Sequence, residues 1–311
     1  MNTKYAIFIT LTRGYLYGLN ATMNALERNG TNAAYEIVYD DANDPKFKQY
    51  IEKSKTAFNF PVNWVHRNTL KSNYRMNWFH YKYQRALDIW NKYDVVCFTD
   101  ADLFMYTSLT ELFDRCKNEK KLVLDTNPKY TGGKKFWKLG DLRGMTDVNW
   151  GKPYWFYTDT PIFFNTKVPK HRKIMEDWQE LCSQESLPNL APEQNQPGGG
   201  LNRSLCKNLE SFDEVIEING WEWLAELGHF KYKLELRDDK LFWAEGPYDG
   251  KQILANHNRW WQQGRVIGEM KRGQSKLFLD NSNKVLKLMK KYNDLKLSEY
   301  VEHHEEGLIE Y

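Results

Sequence analysis

The run Tyr93-Asp94-Val95-Val96-Cys97-Phe98-Thr99-Asp100-Ala101-Asp102-Leu103-Phe104 is an apolar segment of strand length that ends in two carboxylates separated by one small residue. A continuous apolar run bounded by charge is how a parallel strand buried on both faces reads, and such a sheet binds ligands at the carboxyl ends of its strands. In extended backbone alternate side chains share a face, so Asp100 and Asp102 can address one ion while Ala101 turns aside. Paired carboxylates suit a hard divalent cation, and such a cation suits a diphosphate. Alone, an Asp-x-Asp also marks a solvated turn after a strand. The frame argues for more: a helix-like segment precedes it, and Thr107-Ser108-Leu109-Thr110-Glu111-Leu112-Phe113-Asp114 follows as a short capped helix.

Upstream, strand and helix patterns alternate. Residues 5–11 predict a first buried strand; Gly14 opens a turn into a helix over 15–28, where Leu19, Met23 and Leu26 recur at helical spacing. Glu36-Ile37-Val38-Tyr39 predicts a second strand. Asp44-Pro45 then reads as an N-cap with proline at the first helical position, ahead of an amphipathic segment over 46–58. Pro61-Val62-Asn63-Trp64-Val65-His66 predicts a third strand, and 77–92 a helix carrying Trp78, Tyr81, Arg85 and Ile89. This alternation implies an α/β fold with a largely parallel sheet covered on both sides.

Downstream, Lys121-Leu122-Val123-Leu124-Asp125 predicts a short strand that again ends in a carboxylate. Residues 127–153, with Lys129, Lys134, Lys135 and Lys138 beside Phe136 and Trp137, read as a loop. An extended stretch over 154–165, a helix over 169–182, a proline- and glycine-rich loop over 187–200 and a short helix over 201–208 follow. Strands are predicted over 212–218, 229–236 and 252–257, the last ending on His257; residues 280–300 repeat at helical spacing.

A chain of 311 residues can bury one substantial core, with or without a smaller appendage. Its net charge of +3 is near balance, which removes bulk electrostatics as an argument for nucleic-acid binding. Aromatic residues make up 15%, including 12 Trp and 19 Tyr, enough to serve both a core and surfaces on which sugars or bases stack. Cys97, Cys116, Cys182 and Cys206 show no CxxC and no short metal spacing, so reduced thiols and a cytoplasmic setting are expected. The apolar run near the start is too brief for a signal-peptide core or a membrane span.

Taken in order, these features resemble the glycosyltransferases of family 8, the glycogenin-like family, whose nucleotide-binding fold is called GT-A. The likeness runs over residues 5–265. It implies a Rossmann-like, mostly parallel mixed sheet flanked by helices, with residues 1–270 as the transferase domain and 271–311 as a helical tail. The Thr99-Asp100-Ala101-Asp102 tetrad, with Leu109 and Glu111-Leu112-Phe113-Asp114 behind it, is the most specific local match. Ile9-Thr10-Leu11-Thr12 followed by Tyr15-Leu16-Tyr17-Gly18 is similar to the family's first strand and Tyr-x-x-Gly helix start, across a shorter turn. By resemblance Thr10, Leu11, Thr12 and Tyr15 hold the base and ribose of a nucleotide sugar, and Asp100 and Ala101 border it.

Lys82 stands where the family carries a basic residue that reaches the donor's phosphate or sugar; a lysine on an amphipathic helix otherwise reads as solvated. Asp125 matches a strand end that faces the sugar. Thr158-Asp159-Thr160-Pro161-Ile162-Phe163 looks like the family's Asn-Ser-Gly-Val-Phe block, with Pro161 in the glycine's place and Asp159 and Thr160 able to hydrogen-bond sugar hydroxyls. The stretch from Pro192 to Asn202 resembles the Asp-Gln-Gly-x-x-Asn block near the anomeric carbon, either with Glu193 and Gln194 in the Asp-Gln places or with Gln196 there; the former is favoured. Ala255-Asn256-His257 and Gly264-Arg265 look like the late metal-binding histidine and the diphosphate-contacting pair. Trp260 and Trp261 stack on an acceptor or close the core.

The resemblance thus implies Asp100, Asp102 and His257 as ligands of Mn²⁺ or Mg²⁺, and Asp159, Glu193 and Gln194 around the reacting sugar. It implies a hexosyl- or pentosyltransferase that takes a UDP-sugar and retains anomeric configuration. The acceptor is left open between a hydroxyl on a glycan or protein and a modified DNA base. For the latter, Lys129, Lys134, Lys135, Lys138, Arg259, Arg272 and neighbouring tryptophans would form the contact surface. The rival reading is a GT-A-like module that binds glycan or nucleic acid without transfer.

Overall fold

The computed structural model describes residues 3–11, 13–39, 43–67, 80–101, 103–126, 157–183, 197–219, 232–246, 248–257 and 276–301. Within them, seven strands form one mixed sheet in the order β3-β2-β1-β4-β7-β6-β8. β1 (Tyr5–Leu11), β2 (Ala34–Tyr39), β3 (Val62–His66) and β4 (Val95–Phe98) run parallel, as strand–helix alternation requires. β7 (Tyr157–Asn165) runs antiparallel to both β4 and β6 (Leu122–Thr126), and β8 (Val215–Asn219) returns parallel to β6.

Side chains alternate across this sheet, which is why its central strands are apolar without interruption. Ile7, Ile9, Leu11, Val95, Cys97, Val123 and Phe163 face one layer. That layer holds α1 (Leu16–Arg28), α2 (Pro45–Ala57) and α4 (Thr110–Glu119). Ala6, Phe8, Val96, Phe98, Leu122, Leu124, Ile162 and Phe164 face the other, formed by α3 (His80–Asp88), α5 (Pro169–Ser183) and α6 (Pro197–Asn208). Aromatic residues fill both layers, and in this second one Tyr83 and Trp178 lie with ring centroids 4.1 Å apart beside Phe98 and Phe164.

Local rules hold at several element ends. The Asp44 carboxylate accepts from the Phe47 amide at 2.9 Å and Pro45 opens α2, as the sequence predicts. α4 departs from its expected start: it begins at Thr110, and its capping residue Leu109 makes no side-chain cap bond. The Thr110 amide donates to Ser108 Oγ at 3.3 Å, a local cap, and the Leu109 amide donates to Thr31 Oγ1 at 2.9 Å, a partner distant in sequence. Pro197 through Gly200, expected in a loop, form the first turn of α6, because proline's fixed φ and absent N–H suit the first helical position. Residues 212–214 are a 3-10 turn, and β8 starts only at Val215.

The segment expected as a single strand over 252–257 divides between two sheets. β11 (Gln252–Ile253) closes a three-stranded antiparallel sheet with β10 (Lys240–Trp243) and β9 (Leu234–Arg237). β12 (Ala255–His257) pairs with β5 (Leu103–Met105), the short strand that follows the acidic motif. Within the small sheet's return, Gly246 sits at φ +86°, and a Cβ there would lie 2.6 Å from the Tyr232 ring, so only glycine fits.

The C-terminal helix α7 (Lys276–Asn293) is part of the same body. Val285, Leu288, Met289 and Tyr292 join the first core layer. A buried polar cluster ties it to α1: Asn20 Nδ2 donates to Asn293 Oδ1 at 2.9 Å while Tyr50 donates to Asn20 Oδ1 at 2.9 Å. Asn281 and Lys284 bind the backbone of Tyr232 and Leu234, covering the β9 edge. No described helix is long and apolar enough to cross a membrane, and Cys97 and Cys116 are buried thiols.

Candidate functional site

The carboxyl ends of β1, β4 and β6 and the amino end of β7 meet at one rim of the sheet. β1 brings Thr10 and Leu11, both buried; Leu11 packs in the core, so what it offers a ligand is backbone. Tyr15, half-buried, ends the 3-10 turn Arg13–Tyr15 and leads into α1. β4 delivers Asp100 and Ala101. Asp125, wholly buried, stands near the end of β6, and Thr160 sits in β7 ahead of a cis Thr160–Pro161 bond.

These residues are joined by hydrogen bonds. The Asp100 amide donates to Thr160 Oγ1 at 3.0 Å, and that hydroxyl donates to Thr99 Oγ1 at 3.2 Å. Lys82, expected on a solvated or phosphate-reaching face of its helix, is withdrawn from solvent entirely. Its ammonium donates to the Thr99 carbonyl at 3.2 Å and to Asp100 Oδ1 at 2.7 Å. A buried lysine needs such a partner, since an unpaired ammonium in apolar surroundings is strongly disfavoured. Asp100 keeps 21% of its side-chain surface exposed, so the ion pair holds one edge of a carboxylate that still reaches solvent.

The late histidine enters through backbone pairing. In the β5–β12 ladder, Met105 stands opposite Ala255, Phe104 opposite Asn256 and Leu103 opposite His257. Directly opposed residues in an antiparallel pair have Cα atoms about 5 Å apart. His257 is therefore held beside the residue that follows Asp102 in the chain, although about 150 residues separate them along the sequence.

Thr12, Asp102, Glu193, Gln194, Gly264 and Arg265 lie outside the described residues, as do the side chains of Asp159 and His257. So do Gln196, Trp260, Trp261 and the basic set Lys129, Lys134, Lys135, Lys138, Arg259 and Arg272. Among the described residues no group of three His, Cys, Asp or Glu is placed to hold a metal ion. By residue type the donor set suits a hard to borderline divalent cation: Asp100 has an edge open to solvent, Asp102 follows two residues on in the sequence, and the imidazole-bearing His257 is paired opposite Leu103. Sequence reasoning named Thr99 within the tetrad but gave it no role of its own, since it carries no charge, and it did not find the pairing that places His257.

No protein-family model matches the sequence, and no curated protein matches it. Solved structures do. The chain is similar to an active-site mutant of LgtC, with a TM-score of 0.52 and 14% identity over 86% of this chain and 93% of that one. It also matches an apo structure of WbbM, a bifunctional glycosyltransferase, with a TM-score of 0.48 and 15% identity over 74% of this chain; it spans 41% of WbbM's length. The LgtC likeness establishes the fold: a GT-A, Rossmann-like mixed sheet flanked by helices, with a C-terminal helical extension.

Proposed function

We propose that this chain is a metal-dependent glycosyltransferase of the family 8 type, moving a hexose or pentose from a nucleoside diphosphate sugar, with UDP as the nucleotide, to an acceptor hydroxyl with retention of configuration. The observation that carries the reading is the ladder register: His257 stands opposite Leu103 at the sheet end where Lys82 grips Asp100. That register pairs the backbone of a segment far along the chain with the strand that follows the acidic motif, at the sheet end where α/β folds bind ligands, and so supports the reading.

In this reading Asp100, Asp102 and His257 hold Mn²⁺ or Mg²⁺, which when bound supplies Lewis-acid charge against the departing nucleoside diphosphate. Thr10, Leu11, Thr12 and Tyr15 bind the base and ribose. Lys82 holds Asp100 in one orientation by direct contact from the core side, while Arg265 and Gly264 line the diphosphate. Thr160 fixes the backbone of Asp100 from the neighbouring strand. Asp125, Asp159, Glu193 and Gln194 surround the sugar, stabilising its oxocarbenium character while the acceptor attacks from the face the phosphate leaves; the leaving phosphate takes the acceptor's proton. A glycan or protein hydroxyl is the acceptor class that a near-neutral chain favours.

The test is Asp102→Ala. Loss of transfer with unchanged circular dichroism and melting supports the assignment, and full activity in a folded variant contradicts it.

A further inference from the structure

The β5–β12 ladder has three residue pairs, too few to be stable by themselves. Two residues before it, the chain is committed elsewhere: Ile253 pairs with Leu241 in the three-stranded sheet. Leu254 is thus the point at which the segment changes partners. Two hydroxyls grip it there. Tyr106, 2% exposed, donates to the Ile253 carbonyl at 2.6 Å, and Thr107 Oγ1 donates to the Leu254 carbonyl at 3.0 Å. Both residues directly follow β5, so these bonds continue the ladder by side chains past its last backbone pair, Met105 with Ala255. On the other side, Thr22 Oγ1 donates to the Leu103 carbonyl at 3.3 Å and ties β5 to α1.

Register matters at this place because side chains in a strand alternate: a slip of one residue sends every side chain of β12 to the opposite face. We propose that Tyr106 and Thr107 are positioning residues for His257, their hydroxyls locking the β12 register that brings it to the acidic end of β4. The inference rests on the metal-site reading given above. Neither hydroxyl carries charge, so each acts on a cation only through where it holds His257.

The experiment measures Mn²⁺ affinity by electron paramagnetic resonance of free Mn²⁺, without donor or acceptor, for Thr107→Val and Tyr106→Phe in the natural chain and in a His257→Ala background. Losing an outer-shell partner weakens metal binding roughly tenfold, so each variant should lose about that factor when His257 is present and less than about twofold when it is absent. Thr107→Ser, which keeps the hydroxyl, should bind as the natural chain does. Unchanged affinity with His257 present, or the same loss in both backgrounds, overturns the proposal. If His257→Ala alone leaves Mn²⁺ affinity intact, the metal-site reading itself falls. Thr107 is half-buried, and its valine variant carries the test should Tyr106→Phe fail to fold.

Discussion

The ammonium of Lys82, with no exposed surface, lies 2.7 Å from Oδ1 of Asp100, whose side chain remains 21% open. The pair spans the boundary between core and site. Replacing Lys82 with Met keeps the volume and leaves a carboxylate facing an apolar wall. The expected cost is roughly 1–3 kcal/mol, below that of a wholly buried pair because water still reaches Asp100. Urea denaturation measures it, and sugar-nucleotide turnover should fall with it at temperatures where the variant is folded.

Asn20 and Asn293 form the joint between α1 and the C-terminal helix. Asn20→Ala takes from the Tyr50 hydroxyl its acceptor and from Asn293 Oδ1 its donor, for a loss of about 1–3 kcal/mol. The double variant with Asn293→Ala should lose less than the two single losses added, by roughly 0.5–2 kcal/mol. Additive losses, or a C-terminal helix that melts separately from the sheet, would contradict a single body.

His171 titrates late. Burial pushes its pKa down from 6.5 to about 4. The Asn165 amide donates to its Nδ1 at 3.0 Å, and a lone pair that accepts a hydrogen bond cannot also take a proton. The unfolded chain therefore binds the proton first as pH falls. Stability should be full above about 6.5 and decline toward about 4, with a slope of up to roughly 1.4 kcal/mol per pH unit from this group. His171→Gln should flatten that part of the curve in denaturation experiments at stepped pH.

Acceptor class separates by salt. Transfer to a glycan or protein hydroxyl should change little between low and physiological ionic strength. A modified DNA base held through a set of lysines and arginines would lose binding steeply, with the logarithm of affinity falling linearly in the logarithm of salt. Initial rates across a salt series, with the donor saturating, read the difference.

What the sequence discloses follows from how local each determinant is. Val95 to Phe98 is apolar on both faces, and the carboxylate that follows is legible as a strand end without any partner in view. Asp44-Pro45 is equally local, and it caps α2 as expected. Only part of the start of α4 was legible: the Ser108 hydroxyl takes the Thr110 amide within the predicted capped stretch, but the oxygen that takes the Leu109 amide belongs to Thr31 in another loop. Lys82 could not be read as buried, since its partner comes from a strand that only the fold brings near. The division of 252–257 between two sheets escaped for the same reason: a three-residue strand has too little pattern to announce its partner, and the hydroxyls of Tyr106 and Thr107 that mark the changeover lie about 147 residues upstream.

The most direct measurement is release of nucleoside diphosphate from a panel of sugar nucleotides, with Mn²⁺ and with chelator, for the natural chain and for Asp100→Asn. Release from at least one UDP-sugar that needs Mn²⁺, stops with chelator and is lost in Asp100→Asn is the predicted result. A folded protein that releases no nucleotide from any donor, or releases it equally in chelator, contradicts the account.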